Sequence, residues 1–263
     1  MTQSPPDPPA KPRDYKDYVT DTKLATVYAA YQEKYAENPR ESDKRSAQLV
    51  LQSLRAMQPL GHRPRILDIG CSTGNFLRHL KRLNINADLI GGDLMEPHLD
   101  LCRKNPALAG VSFQVMDVFK IPTDQPFDII TANAVNVYFE PELYGQALQS
   151  IAQALRPGGY FIAYEWIHQA PADTRITETS EWQPNGLTFW FRSQEATSLK
   201  LEGAGFDQID IQPFEIPIDL PEPLPGTFEY RNLVTYTIKT SRGRMMMRGG
   251  LNQPWAHIVA RKG

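Results

Sequence analysis

The chain contains 263 residues, of which 41% are hydrophobic and 22% are charged, as in an ordinary globular protein with one large α/β domain and some additions. The formal net charge of -2 gives no overall preference for nucleic acid or for an anionic membrane. Because no apolar stretch reaches the length of a membrane span and no signal-peptide pattern is present, we expect a cytoplasmic location, without nucleic-acid or membrane partners.

The N-terminal part of the chain divides into two segments. Residues 1–13 are rich in proline and predict a disordered tail. Residues 14–60 have helical spacing in two pieces and predict an N-terminal helical cap. The first piece carries Tyr28, Tyr31 and Tyr35. These tyrosines fit an amphipathic helix that packs on the domain. The alternative is a lid over a ligand, which makes Tyr31 a candidate substrate-binding residue.

From residue 61 to residue 263, short apolar runs alternate with helical patterns. This alternation is typical of a parallel sheet that is covered by helices on both faces. The last two predicted strands have no clear helix between them, which indicates an antiparallel pair. The predicted strands are Ile66–Ile69, Asp88–Asp93, Ser112–Met116, Phe127–Ala132, Tyr160–Trp166, Gln208–Ile216 and His257–Arg261, and the predicted helices are Asn75–Leu83, Pro97–Lys104, Glu140–Leu155 and Ser193–Gly203.

A turn with the sequence Gly-Cys-Ser-Thr-Gly occupies residues 70–74, between the first predicted strand and a helical pattern. The backbone N–H groups of such a turn, together with the helix dipole, form a polar pocket at the carboxyl end of the strand. The middle glycine of the dinucleotide fingerprint is absent here. The carboxylate of Asp68 would repel a pyrophosphate, but it suits an ammonium group, directly or through water. The stretch therefore argues against a nicotinamide oxidoreductase.

Together with Asp68, this turn resembles motif I of the class I S-adenosylmethionine-dependent methyltransferases, with Ser72 in place of the usual middle glycine. Segments at the ends of the next three predicted strands resemble further motifs of that family, in the family's order. Asp93 lies about 20 residues beyond the turn, where a doubly wound fold places its ribose ligand. The resemblance implies a Rossmann-like, seven-stranded, mostly parallel sheet with an N-terminal helical cap and S-adenosyl-L-methionine as the cofactor.

The resemblance also implies roles for residues around the cofactor. Asp93 would accept hydrogen bonds from the ribose hydroxyls. Asp117 and the backbone amide of Val118 would bind the edge of the adenine. Asn133 and Ala134 would lie beside the sulfonium. The implied cofactor-binding residues are Asp68, Gly70, Cys71, Ser72, Gly74, Asp93, Leu94, Met95, Asp117, Val118, Asn133 and Ala134.

The fifth predicted strand provides the candidate catalytic groups. It follows Gly158 and Gly159, which we interpret as structural residues that end the preceding helix and start the strand. Its other end should open at the mouth of the active site. His168 is a candidate general base, since a histidine pKa of about 6.5 suits proton abstraction near neutral pH. Glu165 could orient it or bind a cationic acceptor, and Tyr138 is a rival candidate.

Methyl transfer from a sulfonium depends largely on positioning, because the leaving group is already a good one. A hydroxyl acceptor needs a general base, whereas a neutral amine can react without one. No cluster in the sequence has metal-ligand spacing, so we expect no metal. The two cysteines, Cys71 and Cys102, fit a reduced cytoplasmic protein.

Two insertions interrupt the methyltransferase-like part, at about 169–192 and 217–250. The first is rich in aromatic residues, including Trp182 and Trp190, and forms either an acceptor pocket or a cover for the sheet edge. The second combines a proline-rich stretch with basic residues around a methionine run, which suggests a hairpin. With Arg242, this hairpin is either a solvated surface or a clamp on a substrate carboxylate or phosphate.

The leading interpretation is an enzyme that methylates an oxygen or a nitrogen of a small metabolite. The cap and the aromatic insertion favour a small acceptor. The fourth predicted strand is followed by Asn-Ala-Val-Asn and not by the Asn/Asp-Pro-Pro-Tyr of nucleic-acid amino-methyltransferases, which argues against that class. A protein-modifying methyltransferase and a non-catalytic methyltransferase-like binding protein stay open as alternatives, and so does a homodimer.

Overall fold

The computed structural model describes residues 21–169, 171–179, 186–215, 234–240, 243–249 and 254–263. The predictions for residues 1–13, the proline-rich stretch 217–225, Trp182 and Arg242 lie outside these described residues.

The described residues form helices on either side of a central sheet. The α-helices are α1 (Thr22–Gln32), α2 (Glu41–Ala56), α3 (Asn75–Arg82), α4 (Glu96–Lys104), α5 (Pro141–Ala154) and α6 (Gln194–Gly203). The strands are β1 (Arg65–Ile69), β2 (Asp88–Asp93), β3 (Ser112–Val115), β4 (Phe127–Asn133), β5 (Leu155–His168), β6 (Thr174–Glu178), β7 (Leu187–Ser193), β8 (Phe206–Phe214), β9 (Val234–Thr240), β10 (Gly243–Gly249) and β11 (Trp255–Lys262). None of the described helices is both long enough and apolar enough to span a membrane.

The central sheet has the order β3-β2-β1-β4-β5-β11-β8, with β7 and β6 attached at the end of β5. Neighbouring strands from β3 to β5 pair in parallel, whereas β11 pairs antiparallel with both β5 and β8. This confirms the predicted seven-stranded, mostly parallel sheet and its antiparallel last pair. Strands β9 and β10 form the predicted hairpin as a separate two-stranded sheet.

Alternate side chains of the central strands enter two different cores, because successive residues of a strand point to opposite faces. In β1, Leu67 packs in the core beneath α5, whereas Ile66 packs in the core beneath α2, α3 and α4. Ile130 and Ile129 of β4 divide in the same way. Burial on both faces explains why these strands are continuous apolar runs in the sequence.

The second helix of the predicted cap is part of the main core. Ala47, Val50 and Leu54 of α2 are buried in the same cluster as Ile66 of β1. The hydroxyl of Ser46, which directly precedes Ala47, donates a hydrogen bond to Asn133 at the carboxyl end of β4. The helix therefore packs against the sheet and also extends to the edge where a ligand would bind. The predicted boundary between cap and domain at residue 60 stays a prediction.

Two features of the fold differ from the sequence interpretation. The first insertion contains β6 and β7, which the irregular pattern of the sequence did not reveal. Helix α5 ends at Ala154, before Gly158 and Gly159, so the interpretation that these glycines end the helix is wrong. They lie where the register between β4 and β5 shifts, and Gly158 has a φ of 77°. The glycines permit this irregularity within β5.

Backbone atoms approach Gly159 closely but leave open space at Gly145, so the two glycines should differ in how they tolerate alanine. A Cβ at Gly159 would lie 2.9 Å from both Arg156 O and Asp128 O, whereas a Cβ at Gly145 in α5 would meet nothing within 4 Å. We expect Gly159→Ala to lower the free energy of unfolding by about 1–3 kcal/mol. Gly145→Ala should raise it by about 0.5–1 kcal/mol, because alanine favours a helix interior. Urea unfolding measures both, and equal stability of the two variants would contradict this packing.

Candidate functional site

A cavity opens at the carboxyl ends of β1, β2 and β4, where the order of the parallel strands reverses. Open α/β sheets place ligands at this point. The cavity encloses about 940 Å³, including its open mouth. Nine of the twelve predicted cofactor-binding residues line it. The lining residues are Tyr28, Ile69, Gly70, Ser72, Asp93, Leu94, Met95, His98, Met116, Asp117, Val118, Asn133, Ala134, Val135, Tyr138 and Phe139.

The glycine turn is fixed to the neighbouring strand β2. The N–H groups of Gly70 and Cys71 both donate to the carbonyl oxygen of Gly92, at 2.7 and 3.0 Å. Ser72 has a φ of 49°, a left-handed conformation that costs a residue with a Cβ about 1–2 kcal/mol. This backbone geometry explains why glycine is the usual residue there. Cys71 and Gly74 do not line the cavity; Cys71 is buried, and Gly74 is the N-cap of α3 with a φ of 75°.

The carboxylate of Asp93 joins the turn to the cavity. Its Oδ2 accepts a hydrogen bond from the N–H of Ser72 at 2.8 Å, and its Oδ1 accepts one from the N–H of Met95 at 2.8 Å. A carboxylate has about four lone-pair positions, so each oxygen retains capacity for another donor. Asp93 lines the cavity, and this remaining capacity suits two neighbouring hydroxyl groups, as in a ribose.

Asp68 lies under the turn and does not line the cavity. It is 3% exposed, and its Oδ1 accepts a hydrogen bond from the Thr131 hydroxyl at 2.7 Å. Burial raises the pKa of Asp68 to about 7; the Thr131 hydrogen bond opposes this rise, and the charges of Asp43 and Asp93 add to it. The structure thus places this acid within the strand, and its predicted contact with an ammonium group stays a prediction.

Asp117 stands at the opposite end of the cavity from the β4 terminus. Its Oδ1 accepts a hydrogen bond from the N–H of Phe119 at 3.0 Å and caps the short 3-10 helix Val118–Lys120. Its other oxygen takes no part in that bond.

Two neighbours in the cavity wall, His98 and Met116, were not predicted. His98 lies on the buried side of α4 with Leu99 and Cys102. Its helical spacing with these two apolar residues is the signal in the sequence that could have found it.

The end of β4 forms the other wall. Ala134 has a φ of 57° and donates its N–H to the carbonyl oxygen of Tyr164 at 2.8 Å. A non-glycine residue in this conformation persists only where the surrounding structure holds it. Asn133 accepts a hydrogen bond from the Ser46 hydroxyl of α2 at 3.1 Å. Both predicted residues line the cavity, and α2 helps to hold Asn133 there.

Tyrosines from two elements complete the wall. Tyr138 lies in the 3-10 helix Asn136–Tyr138, and Tyr28 reaches the cavity from α1. The predicted Tyr31 does not line the cavity. Its hydroxyl instead lies 3.2 Å from that of Tyr35, and its ring lies 5.6 Å from the guanidinium of Arg40.

Among the described residues, three other predicted catalytic or substrate-binding residues do not line this cavity, namely His168, Glu165 and Trp190. His168 is 6% exposed, and neither ring nitrogen has a hydrogen-bond partner among the described residues. Glu165 is buried on the side of β5 that faces α5, so it does not lie at the mouth of the active site as expected. Trp190 is half-buried on β7 and lies opposite Arg175 of β6.

The described part of the chain has neither a candidate metal site nor a disulfide. No three His, Cys, Asp or Glu residues are grouped there to hold a metal ion. Cys71 and Cys102 are both buried free thiols. Burial is the main cause that raises the pKa of each thiol, which disfavours the reactive thiolate.

The raised pKa of Asp68 predicts a specific pH dependence of stability. The native state holds this proton up to a pH of about 7, whereas the unfolded state releases it near the ordinary value of 3.8. The contribution of Asp68 to the free energy of unfolding is therefore fully present below about pH 4 and is lost as the pH rises to about 7. In Asp68→Asn the free energy of unfolding should no longer fall for this reason, since an amide oxygen can still accept a hydrogen bond from Thr131.

The measurement is urea unfolding of both proteins at a series of pH values. The stability of Asp68→Asn relative to the wild type should rise between about pH 4 and pH 7. A difference that stays constant over this range would contradict the raised pKa. Other buried acids, such as Glu165, are present in both proteins and cancel in the comparison.

Comparison with known proteins agrees with this geometry. Residues 66–159 match a family model described as a methyltransferase domain. The chain is 31% identical over 100 residues to the fatty-acid O-methyltransferase of Mycolicibacterium smegmatis, covering 37% of this chain and 35% of that protein. It is 30% identical over 115 residues to the demethylmenaquinone methyltransferase of Deinococcus radiodurans, covering 42% and 47%. The matches thus span about a third to a half of these relatives.

Solved structures share the fold over nearly the whole chain. Magnesium protoporphyrin IX methyltransferase from Synechocystis PCC 6803, with bound S-adenosylmethionine, has a TM-score of 0.57 at 12% identity and covers 95% of this chain and 98% of its own. A 1,6-didemethyltoxoflavin-N1-methyltransferase from Burkholderia thailandensis has a TM-score of 0.55 at 16% identity and covers 99% and 93%. Residues 66–159 of the chain therefore match a methyltransferase domain, within a fold that is shared with S-adenosylmethionine-dependent methyltransferases.

Proposed function

We propose that this protein transfers a methyl group from S-adenosylmethionine, bound in the cavity, to an oxygen or nitrogen of a small molecule. The observation that carries the proposal is the carboxylate of Asp93. It is fixed by two backbone N–H groups and still offers acceptor positions toward the cavity. A nucleoside with two free ribose hydroxyls meets this requirement.

The rest of the cavity fits the other parts of this donor. Asp117 and the backbone N–H of Val118 lie at the end suited to an adenine, beside the apolar side chain of Met116. Asn133 and Ala134 lie at the end suited to the methionine part. Asp68 is buried just behind the turn, where a nearby ammonium group would favour its charged form.

A small acceptor is favoured by the walls of the cavity and by the relatives. Tyr28 of α1 and Tyr138 line the cavity, so the first N-terminal helix covers part of the site. The matching relatives include a fatty-acid O-methyltransferase and a demethylmenaquinone methyltransferase, both named for small organic acceptors. Tyr138 is the candidate catalytic side chain that lies in the cavity wall. Holding the acceptor in line with the sulfonium would supply most of the rate enhancement.

Donor binding tests the proposal directly. Calorimetric titration should show micromolar-range binding of S-adenosylmethionine and no binding of NADH. Asp93→Ala should weaken donor binding by at least about tenfold, because hydrogen bonds from the ribose to a charged acceptor are lost. Asp88→Ala is a matched control, since Asp88 lies at the other end of the same strand and pairs with Arg63. It should leave donor affinity unchanged.

Thermal unfolding of each variant separates loss of binding from loss of fold, since Asp93 also holds the turn. Binding of the donor would justify a screen of small hydroxyl and amine compounds for a mass gain of one methyl group. Binding of NADH without binding of S-adenosylmethionine would overturn the proposal. Donor binding without turnover on any acceptor would favour a non-catalytic binding protein.

A further inference from the structure

A buried ion pair lies behind the cavity wall, between β5, β7 and α5. Glu165 of β5 is 0% exposed and Arg192 of β7 is 1% exposed, and Nη1 of the arginine lies 4.0 Å from Oε2 of the glutamate. Burial raises the pKa of Glu165, and the positive charge of Arg192 opposes that rise. Neither residue lines the cavity. Burying two charges costs several kcal/mol per ion, so the pair is weak evidence for stability alone.

Both members of the pair reach the same short segment, residues 136–139. Glu165 Oε1 accepts a hydrogen bond from the side-chain amide of Asn136, at the start of the segment. Arg192 Nη2 donates to the carbonyl oxygen of Phe139, at its end. The guanidinium of Arg192 also lies 3.9 Å from the ring centroid of Tyr144, in the first turns of α5. The ion pair thus holds the segment at both ends.

This segment forms part of the cavity wall. Tyr138 and Phe139 line the cavity, and the segment begins two residues after the left-handed residue Ala134. The backbone bond from Phe139 N to Asn136 O, at 3.1 Å, closes only one short turn. Apolar residues of similar volume could fill the space of the ion pair, but they could not bind the amide of Asn136 or the carbonyl of Phe139.

We propose that Glu165 and Arg192 are positioning residues that fix segment 136–139 and thereby shape the wall of the methyl-donor cavity. This inference rests on the proposed function, because the donor is the ligand whose affinity reports the shape of that wall. It gives Glu165 a role that acts through Asn136 and Arg192, without direct contact with an acceptor.

Variants of the pair separate positioning from stability. Arg192→Met removes the donor to Phe139 O and leaves the buried Glu165 without its partner charge. The double variant Glu165→Gln/Arg192→Met removes both charges, so it should unfold at a higher temperature than Arg192→Met. Its glutamine can still accept from Asn136, but the hydrogen bond from Arg192 to Phe139 O is still lost. We therefore expect S-adenosylmethionine to bind both variants about tenfold more weakly than the wild type.

Asp128→Asn is the matched control for the cost of disturbing a buried charge. Asp128 is 2% exposed and accepts hydrogen bonds from His62 Nε2 at 2.7 Å and from the N–H of Arg65 at 2.8 Å. It lies at the amino end of the parallel strands, away from the cavity. Asp128→Asn should lower the melting temperature, with donor affinity equal to that of the wild type.

Calorimetric titration with S-adenosylmethionine, well below each melting temperature, gives the decisive comparison. Weaker binding in the double variant, with unchanged binding in Asp128→Asn, is the expected result. Wild-type affinity in the double variant would overturn the positioning role and leave the proposed function standing. A wild-type protein that does not bind the donor would overturn the proposed function, and this inference with it.

Discussion

The candidate site depends on the hydrogen bonds that the carboxylate of Asp93 accepts from the backbone of Ser72 and Met95. These bonds connect the turn after β1 to the end of β2, and they hold Ser72 in a conformation that glycine adopts more easily. The same carboxylate faces the cavity. One side chain therefore sets the shape of the turn and presents acceptors to a ligand, which explains why an acidic residue is needed at the end of this strand.

The cavity is built mainly from backbone and buried polar groups at the carboxyl ends of the strands. Ser72 and Ala134 both have a positive φ, and both line it. Behind these walls lie the protonatable Asp68 and the Glu165–Arg192 pair, whose burial is costly. Two of the three described non-glycine residues with a positive φ thus line the cavity, as expected where a fold maintains a preorganised binding site.

The sequence predicts the central sheet and much of the site, because their signals are local. Apolar runs mark the buried strands, and the turn at residues 70–74 with Asp93 marks the cavity. The burial of Glu165 and His168 could not be predicted, since the face that a side chain takes at the end of a long strand depends on register. Arg192, which pairs with Glu165, lies on β7, a strand without a clear sequence pattern. Tyr28 and His98 reach the cavity through tertiary packing, which local periodicity does not encode.

The central claim is that the donor binds between Asp93 and Ala134. A crystal structure of the protein with S-adenosylhomocysteine, the product of the donor, tests it most directly. We expect the ribose hydroxyls within hydrogen-bond distance of Asp93, the adenine beside Asp117 and Val118, and the sulfur near Ala134. Density for the ligand elsewhere on the protein, with this cavity free of it, would contradict the account.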